Sequence, residues 1–306
     1  MSVSLIAIDW GTSSARAYWL DAHGRIERAK SAPLGVQKVA AGDFPAALTA
    51  LTAADAHHDV PLLACGMIGS RQGWVEAPYR ECPADEATIG AALTAVPGTR
   101  LSIVPGLVCR DSSGIPDVMR GEETQIFGAL AGGAGDPIRV VVLPGTHSKW
   151  ALVGASRIET FATFLTGELY SVLLEHSILG RLAVSGDDAA AMEAGVRRSL
   201  APDANLSHDL FSARTLRLTD KLAPGAVGDY LSGLLLGAEL AAGQRWLQRQ
   251  RALGECVHLI GDALLCERYR RAFAIAGVNA TLDPPDAAAR GLWRIAQRAK
   301  MVPVAP

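Results

Sequence analysis

Two stretches of this 306-residue chain are written to one plan. From Leu5 to Glu27 an apolar run, Leu5-Ile6-Ala7-Ile8, ends at Asp9. A Gly11-Thr12-Ser13-Ser14 turn follows, and the alternating residues Arg16, Tyr18 and Leu20 mark a second strand. From Val140 to Glu159 the chain repeats apolar strand, Gly-Thr, small hydroxyl residue, base, apolar strand, turn and Arg-Ile-Glu. Gly11 and Gly145 stand 134 residues apart, close to half the chain. A duplication with that period implies two similar α/β domains, each carrying a hairpin whose tip reaches a shared cleft. Chance likeness between two short hairpins is the plainer alternative. The division expected is 1–133 and 134–306, with the Gly-rich segment Ala131 to Pro137 as the crossing and the last helix free to pack back on the first domain.

The chemistry expected lies at the hairpin tips. Asp9 stands where a buried strand emerges, and the residues after it offer backbone N–H groups, hydroxyls and one cation, Arg16. Those are the groups needed to hold a polyphosphate and its magnesium ion. The spacing is neither GxxxxGK[ST] nor GxGxxG after a strand. At the second tip, His147 and Lys149 beside Gly145 and Thr146 also suit an anion. An Asp and a Gly that merely serve a turn are the structural alternative at the first tip.

Bulk properties narrow the class. The 29 Lys and Arg nearly balance the 31 Asp and Glu, so nothing favours nucleic acid or an anionic membrane. Five scattered cysteines without CxxC spacing fit a reduced, cytoplasmic enzyme with neither disulfide framework nor zinc site. The chain enters its first strand at once, without a signal-peptide pattern. Its longest apolar run, around Leu231 to Gly243, is broken by Glu239 and is too short to span a bilayer.

Between the hairpins, a helix is expected over Asp43 to His57 and a buried strand over Pro61 to Cys65. Strand, helix, strand implies a parallel neighbour. The loop that follows, Gly66 to Trp74, sits where α/β folds place ligands, making Ser70, Arg71, Gln72 and Trp74 candidates for contact with a small polar substrate. A Gly-rich connector with a packing Trp is the competing reading. Another strand is expected at Leu101 to Gly106, and Asp117 to Gln125 is expected to open an apolar helix through Ile126, Phe127 and Leu130. Acidic residues suit a first helical turn for dipole reasons alone. A carboxylate there also suits proton removal from a hydroxyl, with Glu123 preferred and Glu122 the alternative.

In the second half, an amphipathic helix is expected to begin at Glu168 with Leu169, Val172, Leu173, His176 and Leu179 on its face, His176 as a packed or capping residue rather than a ligand, and helices are expected over 187–200, 203–217 and 229–251. Gly233 and Gly237 in the last of these permit a close helix neighbour. The strand from Val257 ends in Gly261-Asp262, a turn fit to border an adenosine pocket, and a final helix over 286–300 is expected to be capped by Asp286.

The set AIDWGTSSARAYW, GMIGSRQGW with APY, IPDVMRGEETQIFGA, LPGTHSKW, TFLTGEL and LSGLLLGAEL resembles the actin-like, sugar kinase and heat-shock ATPase superfamily. More narrowly it resembles the 2-dehydro-3-deoxygalactonokinase family. The resemblance implies two duplicated ribonuclease-H-like domains that clamp ATP between them and phosphorylate the 6-hydroxyl of a 2-keto-3-deoxy sugar acid. It implies that Asp9 holds Mg2+ through water, that Gly11, Thr12, Ser13, Gly145, Thr146 and His147 contact phosphates, and that Gly261 lies near adenosine. Glu122 or Glu123 then matches the base, while Arg16, Arg120 and Lys149 are candidates to neutralise phosphate oxygens or the substrate carboxylate. Two departures stand out: Leu143 where the first hairpin has Asp9, and Gly-Asp where many relatives have Gly-Gly. The rivals are a polyphosphate or nucleotide phosphohydrolase of the same superfamily and a non-enzymatic actin-like switch. A sugar pocket around GMIGSRQGW speaks against the hydrolase, which has no need of one.

Overall fold

Short turns join the first three strands, β1 (Leu5–Trp10), β2 (Ala15–Leu20) and β3 (Ile26–Ala32), so they pair as an antiparallel meander with Asp9 opposite Arg16. Helix α1 (Phe44–Thr52) then provides the crossover that lets β4 (Leu62–Gly66) lie parallel to β1, with Asp9 beside Cys65. This computed structural model describes residues 3–52, 59–129, 138–154, 156–252 and 256–303. The expected end of α1 beyond residue 52 and the expected crossing at 131–137 fall outside them.

Short elements follow: β5 (Arg80–Glu81), β6 (Ala84–Asp85), α2 (Glu86–Gly90) and β7 (Thr94–Ala95). Then come β8 (Leu101–Ile103), β9 (Leu107–Arg110), β10 (Pro116–Met119) and α3 (Glu122–Ala129). The main sheet runs β3-β2-β1-β4-β8-β7, and β10-β9-β5 form a small second sheet. One expectation is corrected here. Asp117 to Met119 belong to no helix but form β10, antiparallel to β9, and the helix begins only at Glu122. Gly121, at φ 108°, separates strand from helix with a backbone turn that other residues rarely adopt.

The second half repeats the scheme. Strands β11 (Arg139–Leu143), β12 (Ser148–Gly154) and β13 (Arg157–Phe164) are followed by helices α4 (Thr166–His176), α5 (Ala189–Ser199), α6 (Leu206–Leu218) and α7 (Val227–Arg249). Next come β14 (Cys256–Leu259), α8 (Ala263–Ile275) and β15 (Asn279–Leu282), with β14 parallel to both β11 and β15. Read from β13, the order β13-β12-β11-β14-β15 reproduces β3-β2-β1-β4-β8. The repeated hairpin is thus the visible part of a repeated sheet topology.

The chain divides into two compact units, one of residues 1–137, 153–160 and 284–306, the other of residues 138–152 and 161–283. In the first, Ile6, Ile8, Trp10, Ala17 and Trp19 pack one sheet face against Phe44 and Leu51 of α1. The last helix, α9 (Ala287–Arg298), returns to this unit, where Arg290 and Arg294 donate to the carbonyls of Gly128 and Phe127 at the end of α3. Asp286 occupies the position before α9, but its side chain makes no capping bond, because its backbone is left-handed at φ 63°. In the second unit Val140, Val142, Trp150 and Leu152 pack against α7 and α8. The glycines of α7 admit α5 closely: a Cβ on Gly233 would stand 2.0 Å from the Met192 carbonyl oxygen. Helix α4 does not bury its apolar face as expected. Leu169 and Val172 are 40% and 45% exposed, and His176 at its end is exposed.

Candidate active site

In the first unit, three chain segments meet around the end of β1. Asp9 points from the face opposite the α1 core, and Cys65 on the neighbouring strand lies with its Sγ 4.0 Å from Asp9 Oδ1. A Cβ on Gly121 would come within 3.2 Å of the Gly66 Cα, so the start of α3 is pressed against the end of β4. Glu122 and Glu123 are thereby carried to the same corner. Burial raises the Asp9 pKa, Arg16 opposes that shift, and the charge of Glu122 adds to it. Burial likewise pushes the Cys65 thiol up, with the carboxylates of Asp9 and Glu123 contributing.

The two glutamates are held differently. Glu122 Oε2 accepts the Arg120 backbone N–H at 2.9 Å. Glu123 is fully buried; its Oε2 accepts Gly121 N–H at 2.7 Å and its Oε1 accepts the Thr124 hydroxyl at 3.0 Å. Burial, then repulsion from Glu122, raises the Glu123 pKa from 4.5 to about 7. A carboxylate poised there can gain or lose a proton near neutrality.

The adjoining turn is braced from outside. Gly11 N–H donates to the Ser14 carbonyl at 2.9 Å, while Val36 and Gln37 N–H donate to the carbonyls of Gly11 and Thr12. Gly35 fits beneath, since a Cβ there would stand 2.3 Å from the Thr12 carbonyl oxygen. Thr12 and Ser13 remain exposed, free to meet a ligand. Arg16 Nε donates to Ser31 Oγ at 3.0 Å. Its bond with Tyr18 raises its pKa, and Asp9 and Asp286 reinforce that shift.

The 66–79 loop distributes its candidates. Trp74 stacks on Phe44 at 6.0 Å within the α1-side core, and Arg71 forms an exposed ion pair with Glu76 at 3.1 Å, with Gln72 exposed beside it. Ser70 Oγ is instead buried. Arg120 is buried as well, its guanidinium 4.3 Å above the Tyr79 ring and its Nη2 donating to the Ala77 carbonyl at 2.8 Å.

In the second unit the tip between β11 and β12 is held from the α4 side. Glu168 N–H donates to the Thr146 carbonyl at 3.0 Å, the Glu168 carboxylate pairs with His147, and a Cβ on Gly167 would stand 2.4 Å from the Gly145 carbonyl oxygen. Lys149 is buried and donates to Thr163 Oγ1 at 2.7 Å. Gly261, at φ 142°, lies next to the Pro144 carbonyl, where a Cβ would be 3.5 Å away. Asp262 caps α8 by accepting Leu265 N–H at 3.0 Å. Thus Gly261 joins Gly145, Thr146 and His147 around the ends of β11 and β14.

Sequence reasoning missed the support under this tip. Glu239 of α7 accepts Trp150 Nε1–H at 2.8 Å and Tyr269 O–H at 2.7 Å, and Ser148 Oγ lies 2.6 Å from the Tyr269 oxygen. Thr166 also bonds to Glu239, so residues on both sides of the tip are tied to one buried carboxylate. Burial raises the Glu239 pKa against the opposing effect of these bonds. The available signal was Glu239 itself, the one acid within the apolar run from Leu231 to Gly243. Nothing in the local sequence marked Cys65, Thr124 or the Gly35 to Gln37 brace.

A family model described as 2-keto-3-deoxy-galactonokinase matches residues 9–295. The chain is 37% identical over 290 residues to the 2-dehydro-3-deoxygalactonokinase of Escherichia coli (strain K12), covering 94% of this chain and 95% of that one. It is 38% identical over 306 residues to a relative from Rhizobium meliloti (strain 1021) assigned the same activity, covering 94% and 97%. A crystal structure from Sinorhizobium meliloti assigned to the same kinase matches with a TM-score of 0.87 at 37% identity, over 96% of this chain and 98% of that one. The activator of 2-hydroxyisocaproyl-CoA dehydratase from Clostridium difficile, at 11% identity and a TM-score of 0.53, shares the fold alone. A match that begins at Asp9 and ends inside α9 takes in the repeated sheets of both units, and the chain belongs to the 2-keto-3-deoxy-galactonokinase family.

Proposed function

We propose that the protein transfers the γ-phosphoryl group of ATP to the 6-hydroxyl of 2-dehydro-3-deoxy-D-galactonate. The observation that carries this reading is the family match over residues 9–295, which includes the acidic corner of Asp9, Glu122 and Glu123. Phosphoryl transfer asks a protein mainly for alignment and charge stabilisation, with one group to receive the hydroxyl proton. Glu123 is the proposed base. Its pKa of about 7 leaves it substantially ionised at neutral pH, and both of its oxygens keep a lone pair beyond the bonds to Gly121 and Thr124.

In the first unit Gly11, Thr12 and Ser13 are proposed as phosphate contacts; in the second, Gly145, Thr146 and His147 are proposed as phosphate contacts and Gly261 as a neighbour of the adenosine. Arg16 and Lys149 supply positive charge. Asp9, with Glu122 close by, fits a magnesium ion. Among the described residues no group of three His, Cys, Asp or Glu stands ready to cage a metal. Mg2+ keeps several waters and takes one or two carboxylates together with substrate phosphates, and Asp9 and Glu122 are two such carboxylates. When bound, the ion would neutralise phosphate charge. Asp9, otherwise penalised by burial, gains a counter-charge for its ionised form.

A coupled assay tests the reading: ATP turnover is measured across a panel of 2-keto-3-deoxy sugar acids. Turnover should require the acid and favour the galactonate-derived one over its gluconate-derived epimer, a discrimination that one hydrogen bond decides. Phosphate release from ATP at the same rate without any acid would replace the kinase by a hydrolase.

A further inference from the structure

Arg120 presents an unusual arrangement in the first unit. It is only 9% exposed, one face of its guanidinium is covered by Tyr79, and Nη2 is committed to the Ala77 carbonyl. Its Nε and Nη1 are buried and, among the described residues, have no hydrogen-bond partner. Ser70 Oγ is in the same condition. The two belong to one place: Nη1 stands 3.0 Å from where a Gly69 Cβ would be, so the guanidinium lies against the backbone of the residue next to Ser70. A buried cation with only one of its donor groups bonded and no anionic partner is unfavourable, because buried polar groups are normally bonded. The neighbouring ion pair of Arg71 and Glu76 is exposed.

We infer that Arg120 and Ser70 form the seat of the substrate's carboxylate, which accepts N–H bonds from the guanidinium and the O–H bond of Ser70. The inference rests on the proposed kinase activity and assigns one end of its substrate. Three features favour a carboxylate over a phosphate. A single guanidinium matches a monoanion, and its planar fork matches a planar acceptor. The groups beside the guanidinium include the Tyr79 ring and the Gly69 backbone, with the Ser70 hydroxyl next to it, and the adjacent Arg71 is exposed and paired with Glu76. Finally, Arg120 stands two and three residues before Glu122 and Glu123 on a rigid strand-to-helix corner, so anchoring the acid end fixes the remainder of a short chain relative to the base.

The test compares wild type, Arg120→Met, Arg120→Lys and Ser70→Ala with the sugar acid and with its neutral C1 amide, each with ATP. Wild type should strongly prefer the acid. Arg120→Met should raise KM for the acid by roughly 10²-fold, the usual size of a buried charge-assisted contact, while KM for ATP stays within about twofold. It should also treat acid and amide alike, which a merely structural arginine would not produce. Arg120→Lys should fall between, and Ser70→Ala should raise KM for the acid by about tenfold. Undiminished preference for acid over amide in Arg120→Met overturns the inference. If that variant does not fold, an unchanged KM for the acid in both Arg120→Lys and Ser70→Ala overturns it. Failure of wild type to phosphorylate the acid at all would instead strike the proposed function.

Discussion

The two hairpin tips share a topology and differ in what stands behind them. At the first, the strand ends in Asp9, whose carboxylate is buried beside Cys65 and the acidic start of α3; the turn is braced by the backbone of Gly35 to Gln37. At the second, Leu143 occupies the equivalent place, and the buried carboxylate is Glu239, which bonds Ser148 at the edge of the tip and ties Trp150, Tyr269 and Thr166 together. One copy of the duplicated unit carries a carboxylate at the tip, the group proposed above to take part in the chemistry. The other has placed a carboxylate beneath it as a support. The sheet order occurs twice, while an acid at the end of the first strand of the hairpin occurs once.

If that contrast is right, Asp9→Asn should be the most damaging single change, lowering kcat by roughly 10³-fold, the scale of losing a preorganised charge at a reacting phosphate. Leu143→Asn should cost far less. Equal losses in the two variants would break the comparison. Glu123→Gln comes next, with kcat falling by about 10²-fold, the usual size of a general-base contribution. Should Glu123→Gln stay active while Glu122→Gln collapses, the base is Glu122.

The sequence showed the tips but not their supports, and the reason is physical. Asp9, Gly11 and Gly145 sit in runs whose alternation and turn residues are local signals, so both hairpins, the parallel placement of β4 and a helix through Ile126 and Phe127 were legible. The corner between β10 and α3 was misread because Asp117 to Met119 look compatible with either state, and only pairing with β9 and the left-handed Gly121 decide it. The brace at Gly35, the Arg120 and Ser70 arrangement and the Glu239 network join residues far apart in the chain, such as Trp150 and Glu239. No local pattern encodes such pairings. The apolar stripe of α4 misled in the opposite direction, because periodicity marks a face without saying that it is covered.

Smaller effects sharpen the contrast between the supports. Gly167→Ala, whose Cβ would meet the Gly145 carbonyl at 2.4 Å, should raise KM for ATP by about tenfold with KM for the acid nearly unchanged. Steady-state kinetics in both substrates would show it. Glu239→Gln keeps the shape but replaces one acceptor oxygen by a donor, so one of the bonds from Trp150 and Tyr269 is lost. The melting temperature should fall by several degrees, matching about 1–3 kcal/mol for a disturbed buried bond, with a modest rise in KM for ATP. An unchanged melting temperature would mean that the network does not support the tip.

The subtlest effect is in the pH dependence. Glu123 must be ionised to accept a proton, so kcat should decline as pH falls through about 7. Repulsion from Glu122 is the second cause of that raised value, so Glu122→Gln should move the acid limb to lower pH. Stability runs the other way. Because the folded pKa of about 7 lies above the ordinary 4.5, the protonated side chain contributes stability that is fully present below about 4.5 and lost as pH rises through 7. Wild type should therefore lose melting temperature relative to Glu123→Gln between pH 4.5 and 7, the same interval in which it gains activity. A difference in melting temperature that stays flat across that interval would show that Glu123 is not held in the environment argued for it, and the first tip would lose its distinction as the acidic one with a tuned base beside it.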